Sequence, residues 1–358
     1  MVRDDDPRLD EVRSCFAEAG RRVGVIERSY DIAGHPVRLR IAGDLAARSL
    51  GAAFEHHRAA SGIGDGDGLI IHVWDVTATG VAAPEVMQPV PGAVGTAAVP
   101  RDGSDTGGVR IAGQAPALMR HVYDRRRREA FHCVADARHL RDGEIGQPFV
   151  IPFHWWMEDL GGQLVHGAGV GTVDGGMLIV APGGSGKSCT ALPALAAPPT
   201  TPGFGLLGDD YCLVTLDPVP TAWSLYCTGK LLHAQTERYP DLVTGPALNP
   251  GRSDHRKLVF LPSRRHPDRM VGSFPIRCLV VPVIGGGPVG FAPITPAAAM
   301  RSLAPSTVFQ LPGAGARTMR VLAQLARQVP AFALRLPADP RETPPLLEEL
   351  LTATGTGA

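Results

Sequence analysis

Asparagine is nearly absent from this 358-residue chain: Asn249 is the single example. That scarcity excludes a guanine-specific GTPase, which reads its base with an Asn-Lys-x-Asp motif, because Asn249 stands in "LNPGRS". Cysteine is sparse too. The six (Cys15, Cys133, Cys189, Cys212, Cys227 and Cys278) show no short paired spacing, which argues against a zinc site or a disulfide scaffold and suits a reducing compartment. No apolar run approaches the ~18 residues that a membrane span needs. The charged N-terminus "MVRDDDPRLDEVR" lacks the apolar centre of a signal peptide. Excess charge is missing as well: Lys+Arg and Asp+Glu both total 35, so no broad footprint for nucleic acid or an anionic membrane follows. The expectation is a cytoplasmic protein with neither partner. A homo-oligomer is compatible with this composition.

What is present is ordinary globular material, 44% apolar and 20% charged, in a chain long enough for two domains. Residues 1–145 read as an N-terminal α+β domain. Its candidate strands are "RRVGVIERSY" and "HPVRLRIAG", joined at Gly34, then "GLIIHVWDV" and "AFHCVADARHL". Between them "DLAARSLGAAFEHHRAA" has Asp44 as N-cap and Ala46, Leu50 and Ala53 on one face. His56 and His57 on that helix, and the run Arg125–Arg128, are expected on solvated surface. Residues 77–116 read as loops with short strands. Turn signals at 141–150 mark the boundary, and 146–358 form the second domain. There "IPFHWWMEDL" reads as a helix with Trp155 and Trp156 buried. "QLVHGAGVGTV", "GMLIVA", "FGLLGDDYCLVTL" and "FPIRCLVVPVI" read as strands, and the Pro-broken C-terminal part as helices.

One stretch carries chemistry. "APGGSGKSCT" (181–190) follows the apolar strand Met177–Val180 and fits the Walker A rule with alanine at its first position. Gly183, Gly184 and Gly186 let backbone N–H groups turn inward around phosphate oxygens, since no Cβ restricts their dihedrals. Ser185 and Cys189 complete the candidate nucleotide contacts, at the start of a helix whose N-terminal end favours an anion. Lys187 supplies a point charge for the β/γ-phosphates, and the Ser188 hydroxyl can hold Mg²⁺. Pro193 lacks the N–H that would bond back to residue 189, so this helix should be short or kinked.

The type of phosphate chemistry narrows by elimination. The Ser-Gly-Gly-Gln signature of ABC-type ATPases is absent downstream, and "LGGQ" at 160–163 lies upstream. His-Arg-Asp and Asp-Phe-Gly kinase motifs are missing. What remains is Asp209-Asp210 in "LLGDDYCLV", after an apolar strand, where a Mg²⁺ ligand is expected. One acid can hold metal while the other accepts a proton, provided the strand ends or bulges there, because adjacent strand residues point to opposite faces. His166, 21 residues before Lys187, would reach the same place through a hairpin at "DGG", orienting an acid or steadying charge.

Together "VHGAGV", "GGMLIVAPGGSGKSCTALPAL" and "GLLGDDYCLV" resemble the catalytic core of the HPr kinase/phosphorylase family, well over residues 160–216 and weakly beyond. The resemblance implies an α/β fold, a P-loop kinase core related to phosphoenolpyruvate carboxykinase. It further implies ATP- and Mg²⁺-dependent phosphorylation of a serine hydroxyl. Lys187 and Ser188 would then bind nucleotide and Mg²⁺. One of Asp209 and Asp210 would be general base and the other a metal partner, with Asp210 placed beside Ser188 in the metal set and His166 assisting. The family's glycine-rich signature after the aspartates has no counterpart; "NPGRSDHRKLVF" and "APSTVFQLPGAGA" stand there instead. The sequence is similar to divergent members that phosphorylate serine in ribosomally made precursor peptides such as lasso peptides. A small-molecule kinase and a non-catalytic nucleotide-binding module are the alternatives. The cluster Arg252, His255, Arg256 and Lys257 is read equally as a second cation for the transferring phosphate or as a solvated loop.

Overall fold

The computed structural model describes residues 6–59, 68–87, 108–114, 119–196, 199–240, 242–243, 246–249 and 257–355. The chain divides into two units, Met1–Asp159 and Leu160–Ala358. Among the described residues, no helix is long and apolar enough to cross a membrane.

The charged N-terminus forms a helix that the strand-centred pattern overlooked. α1 (Pro7–Val23) starts with Asp6 capping the N–H of Arg8 and Pro7 in its first turn, and it buries Leu9, Val12, Phe16 and Ala19. Those spacings place one apolar stripe on the sheet, and the charges lie on the remaining faces. β1 (Val25–Ile32) and β2 (His35–Ala42) form a hairpin in register Val25↔Ala42 to Ile32↔His35. Its two-residue turn has Ala33 at φ 55° and Gly34 at φ 78°, the geometry that matches strand twist. α2 (Asp44–Gly51) follows Gly43, so Asp44 opens the helix rather than capping it, and a 3₁₀ segment (Ala52–His57) continues it. That tighter winding leaves His56 and His57 half-buried, with ring centroids 3.7 Å apart, instead of on open surface.

β3 (Leu69–Asp75), α3 (Val76–Thr79), β4 (Val109–Gln114), β5 (Met119–Asp124), β6 (Glu129–Val134) and α4 (Asp142–Gly146) complete the sheet and its flank. The strand order is β1-β2-β3-β6-β5-β4, with β3 parallel to both neighbours. Arg125–Arg128 form the turn between β5 and β6, the first three exposed as expected. α5 (Val150–Asp159) buries Phe153, Trp155 and Trp156. Phe153 packs 5.5 Å from Phe54, and Trp155 6.2 Å from Tyr123. Those aromatic contacts tie "IPFHWWMEDL" to the first unit, which runs to Asp159.

His121 and His132 face each other across β5 and β6, Nδ1 to Nδ1 at 3.0 Å, and both are buried. Burial disfavours the imidazolium, pushing His132 down to about 3 and His121 well below its ordinary range. An unfolded histidine takes a proton below ~6.5 that the folded one refuses, so stability is lost as pH falls from there towards 3. At pH 5 the His132 contribution alone is on the order of 2 kcal/mol. Tryptophan fluorescence reads this unit, which holds Trp74, Trp155 and Trp156 of the chain's four. Between pH 7 and 5 its urea midpoint should fall clearly, and a His121→Leu/His132→Leu double variant should flatten that dependence. Equal pH slopes in both proteins would refute the assignment.

The second unit is built on β15 (Ser273–Val283), eleven residues long. Its start pairs with β12 (Thr221–Ser224). Its later part lies parallel between β9 (Gly175–Ile179) and β17 (Ala331–Arg335). β8 (Ala168–Thr172) and β10 (Gly205–Gly208) extend the sheet beyond β9, and β11 (Tyr211–Thr215) and β7 (Gln163–His166) beyond β12. β16 (Gly290–Ile294) borders β17, while β13 (Gly229–Leu232) and β14 (Lys257–Phe260) form a separate ribbon. Alternation along β9 splits the core. Met177 and Ile179 face α6 (Lys187–Ala191), α7 (Pro193–Ala196) and α12 (Thr343–Gly355), whereas Leu178 and Val180 face α10 (Pro296–Val308) and α11 (Ala316–Gln328). Two short helices, α8 (His233–Thr236) and α9 (Pro262–Arg265), follow β13 and β14. The result is a mixed α/β unit.

Candidate functional site

The stretch 180–186 leaves β9 and turns sharply before α6. Gly184 and Gly186 take φ values of 81° and 93°, which side chains other than glycine's rarely adopt. Gly183 and Gly184 have open space where a Cβ would stand, so their backbones can be approached closely. The Ser185 N–H bonds back to Pro182 O at 3.3 Å, closing the turn. α6 is five residues long, and α7 restarts at Pro193, the interruption expected from that proline. So short a helix adds little dipole, which leaves loop N–H groups and Lys187 as the principal anion-directed features.

Lys187 is 7% exposed, and its Nζ donates to Ala181 O at 2.7 Å and Pro182 O at 3.3 Å. Burial lowers its proton affinity against the pull of Asp210 and Asp209. Cys189 is half-buried, and its Sγ accepts from Gln235 Nε2 at 3.2 Å. Burial raises its thiol, which disfavours the thiolate.

The aspartates occupy a break in the strand. β10 ends at Gly208 and pairs with β8, while β11 begins at Tyr211 and pairs with β7. That bend satisfies the condition under which adjacent acids share one site. Asp209 is 2% exposed; its Oδ2 accepts the Lys230 N–H at 3.0 Å, Oδ1 is buried without a hydrogen bond of good geometry, and the Ser188 hydroxyl lies toward it. Burial, then the neighbouring Asp210 charge, raises its carboxyl to about 6. Asp210 is paired twice, from His166 Nε2 at 2.8 Å and from the Lys230 ammonium. Burial alone would raise it, but Lys230 and His166 outweigh that and hold it far below the usual carboxylate range.

His166 arrives by a different route from the one expected. The "DGG" hairpin joins β8 to β9, whereas β7 leaves that hairpin and pairs with β11, setting His166 opposite Tyr211. Its N–H donates to Thr307 Oγ1 at 3.2 Å, and Nδ1 stands 3.2 Å from Ser306 O. Both ring nitrogens face oxygen acceptors, so α10 fixes the ring against Asp210. Tyr211 stacks at 5.0 Å on the imidazole and donates to Gln310 Oε1 at 2.7 Å.

Lys230 escaped the sequence pattern, yet it touches both acids, Asp209 through its backbone and Asp210 through its side chain. One signal was available: the chain has three lysines in all, Lys187, Lys230 and Lys257. The charges of the other two both act on Lys187. Of the basic cluster only Lys257 is described; Arg252, His255 and Arg256 lie outside the described residues.

Asn249 has a structural role. Its Nδ2 donates to Lys257 O at 2.9 Å, and its Oδ1 accepts the Val259 N–H at 2.9 Å. It thereby pins β14, which carries Lys257 and braces the Lys230 strand. Asn249→Ala removes both bonds, one of them from the buried Val259 N–H, and should cost about 1–3 kcal/mol. A drop of several degrees in thermal midpoint would support this role; an unchanged midpoint would refute it.

A metal fits one corner of this arrangement. The Ser188 hydroxyl and the unpartnered Asp209 Oδ1 form a hard oxygen pair suited to Mg²⁺, which keeps waters and phosphate oxygens for its other positions. Asp209, rather than Asp210, is the acid directed at Ser188. Among the described residues no cluster of three or more His, Cys, Asp or Glu could hold a metal.

Comparison with known protein families finds no match, and no curated protein matches the sequence. Among solved structures, the chain is similar to the Hpr(Ser) kinase/phosphatase from Coxiella burnetii. The identity is 12% and the TM-score 0.30, covering 52% of this chain and 95% of that one.

Proposed function

We propose that this chain is an ATP- and Mg²⁺-dependent phosphotransferase that moves the γ-phosphoryl group to a serine hydroxyl of a peptide or protein. The observation that carries the reading is the convergence of Lys187, Asp209, Asp210, His166 and Lys230 around one glycine-rich turn. Phosphoryl transfer requires mainly positioning and charge neutralisation, and this cluster offers both. Gly183 to Ser188 receive the phosphates through backbone N–H groups. Lys187 exchanges the carbonyls of Ala181 and Pro182 for phosphate oxygens. Ser188 and Asp209 would hold Mg²⁺, which would supply charge neutralisation for the phosphates. Asp210, with an 18% exposed side chain, is the acid that an acceptor hydroxyl can reach. It takes the hydroxyl proton as the new O–P bond forms and the bond from the γ-phosphorus to the β,γ-bridging oxygen breaks, releasing ADP, and His166 and Lys230 keep it aimed. A loose transition state puts little demand on base strength, so a strongly paired carboxylate suffices.

Mass spectrometry after incubation with ATP and Mg²⁺ tests this directly, starting with peptides encoded beside this gene and with free serine. One added phosphoryl group on a serine of a peptide is expected. Phosphorylation of free serine alone would transfer the activity to small molecules. No phosphoryl gain on any hydroxyl acceptor would leave only nucleotide binding.

A further inference from the structure

A cavity of about 650 Å³ opens along α7, away from the paired acids. Pro193 and Ala196 form one wall, Arg238 and Tyr239 a second, and Ala338 and Pro340 a third. Ligand pockets typically measure ~300–1,000 Å³, with apolar walls and a few polar groups. Three connections run from the glycine-rich turn to this cavity. α6 leads directly into α7, which supplies the first wall. Cys189, beside Ser188, accepts from Gln235 and lies against the Tyr239 hydroxyl, which brings in the second. The Leu336 side chain comes within 3.3 Å of where a Gly186 Cβ would stand. Ala338 follows two residues later, a step of at most ~7 Å.

We propose that this cavity receives the purine base and ribose of the nucleoside triphosphate whose phosphates enter the 181–188 loop. The inference rests on the phosphotransferase reading and adds where the nucleoside lies. A nucleoside is tied to its phosphates, so its pocket must connect to the phosphate loop, and the three connections above lead from that loop to this cavity. The walls suit a flat ring: prolines and Tyr239 give broad apolar faces. Arg238 is exposed, and its charge acts on Asp339 and Tyr239 of the same cavity; its guanidinium plane can stack on a base. Arg341 is already paired with Asp339 at 2.6 Å, so the rim is close to neutral apart from Arg238 and Glu237. That balance suits an uncharged base better than a second anion.

Calorimetry with two probes, ATP and inorganic tripolyphosphate, separates the pocket from the loop. Ala338→Trp fills the cavity from an exposed position, and Arg238→Ala removes the stacking plane. ATP affinity should fall by roughly 10-fold or more in the first and about 3-fold to 10-fold in the second. Tripolyphosphate affinity should stay unchanged in both, which also reports an intact fold. Unchanged ATP affinity in both variants overturns the proposal, as does equal weakening of the two probes. Changed acceptor KM with unaltered ATP binding would give the cavity to the acceptor and overturn it too. If the unmodified chain binds neither probe, the phosphotransferase reading fails. If it binds ATP no better than tripolyphosphate, the nucleoside pocket alone fails.

Discussion

Lys187→Met should abolish phosphoryl transfer, lowering kcat/KM by about 10³-fold or more, while the protein stays folded. The lysine is one of only three, and it alone emerges from the glycine-rich turn. Its present partners, the carbonyls of Ala181 and Pro182, are weak competitors for an ammonium that can instead meet a triphosphate. Among the described lysines, Lys230 is already committed to Asp210. Folding should tolerate the change because burial already penalises this charge, so methionine exchanges a costly ammonium for an apolar chain of similar length. The measurement pairs single-turnover transfer with thermal unfolding. Transfer within 10-fold of the parent at an unaltered midpoint would remove Lys187 from the mechanism.

The elements that could be recognised in advance were those with local causes. Strand periodicity marked β1, β2, β3 and β15, and the glycine spacing with Lys187 marked the turn at 181–188. Pro193 announced the break between α6 and α7. What escaped was set by pairing across the sheet. "LVHGAGVG" reads as one strand, yet His166 and Ala168 belong to strands with different partners. No local pattern states that β7 chooses β11. Lys230 was invisible for the same reason: its strand reaches Asp209 and Asp210 from twenty residues away, and a lone lysine in "CTGKLL" has no spacing to betray it. α1 was hidden by its charges, because an apolar stripe of Leu9, Val12, Phe16 and Ala19 is diluted among arginines and acids.

Substituting the two aspartates one at a time should produce different failures, and that difference tests the division of labour between them. Asp209→Asn keeps the shape and the bond from the Lys230 N–H, but it removes the charge facing Ser188. Its defect should lie in metal use: a higher Mg²⁺ concentration for half-maximal rate, with part of the turnover recovered at saturating Mg²⁺ or Mn²⁺. Asp210→Asn keeps an oxygen for one partner and leaves either the His166 or the Lys230 contact unsatisfied in a buried place. It should cost on the order of 1–3 kcal/mol of stability and about 10²–10⁴-fold in kcat, with ATP affinity nearly intact and no rescue by metal. Asp210→Glu would separate the two causes, since a restored charge with displaced oxygens should recover stability more than rate. The doubly amidated chain should bind ATP and transfer nothing; normal transfer by that variant would end the case for a carboxylate-assisted kinase. If instead metal rescue belonged to Asp210→Asn, the two acids would have to exchange roles. The Ser188–Asp209 approach would then be a packing contact.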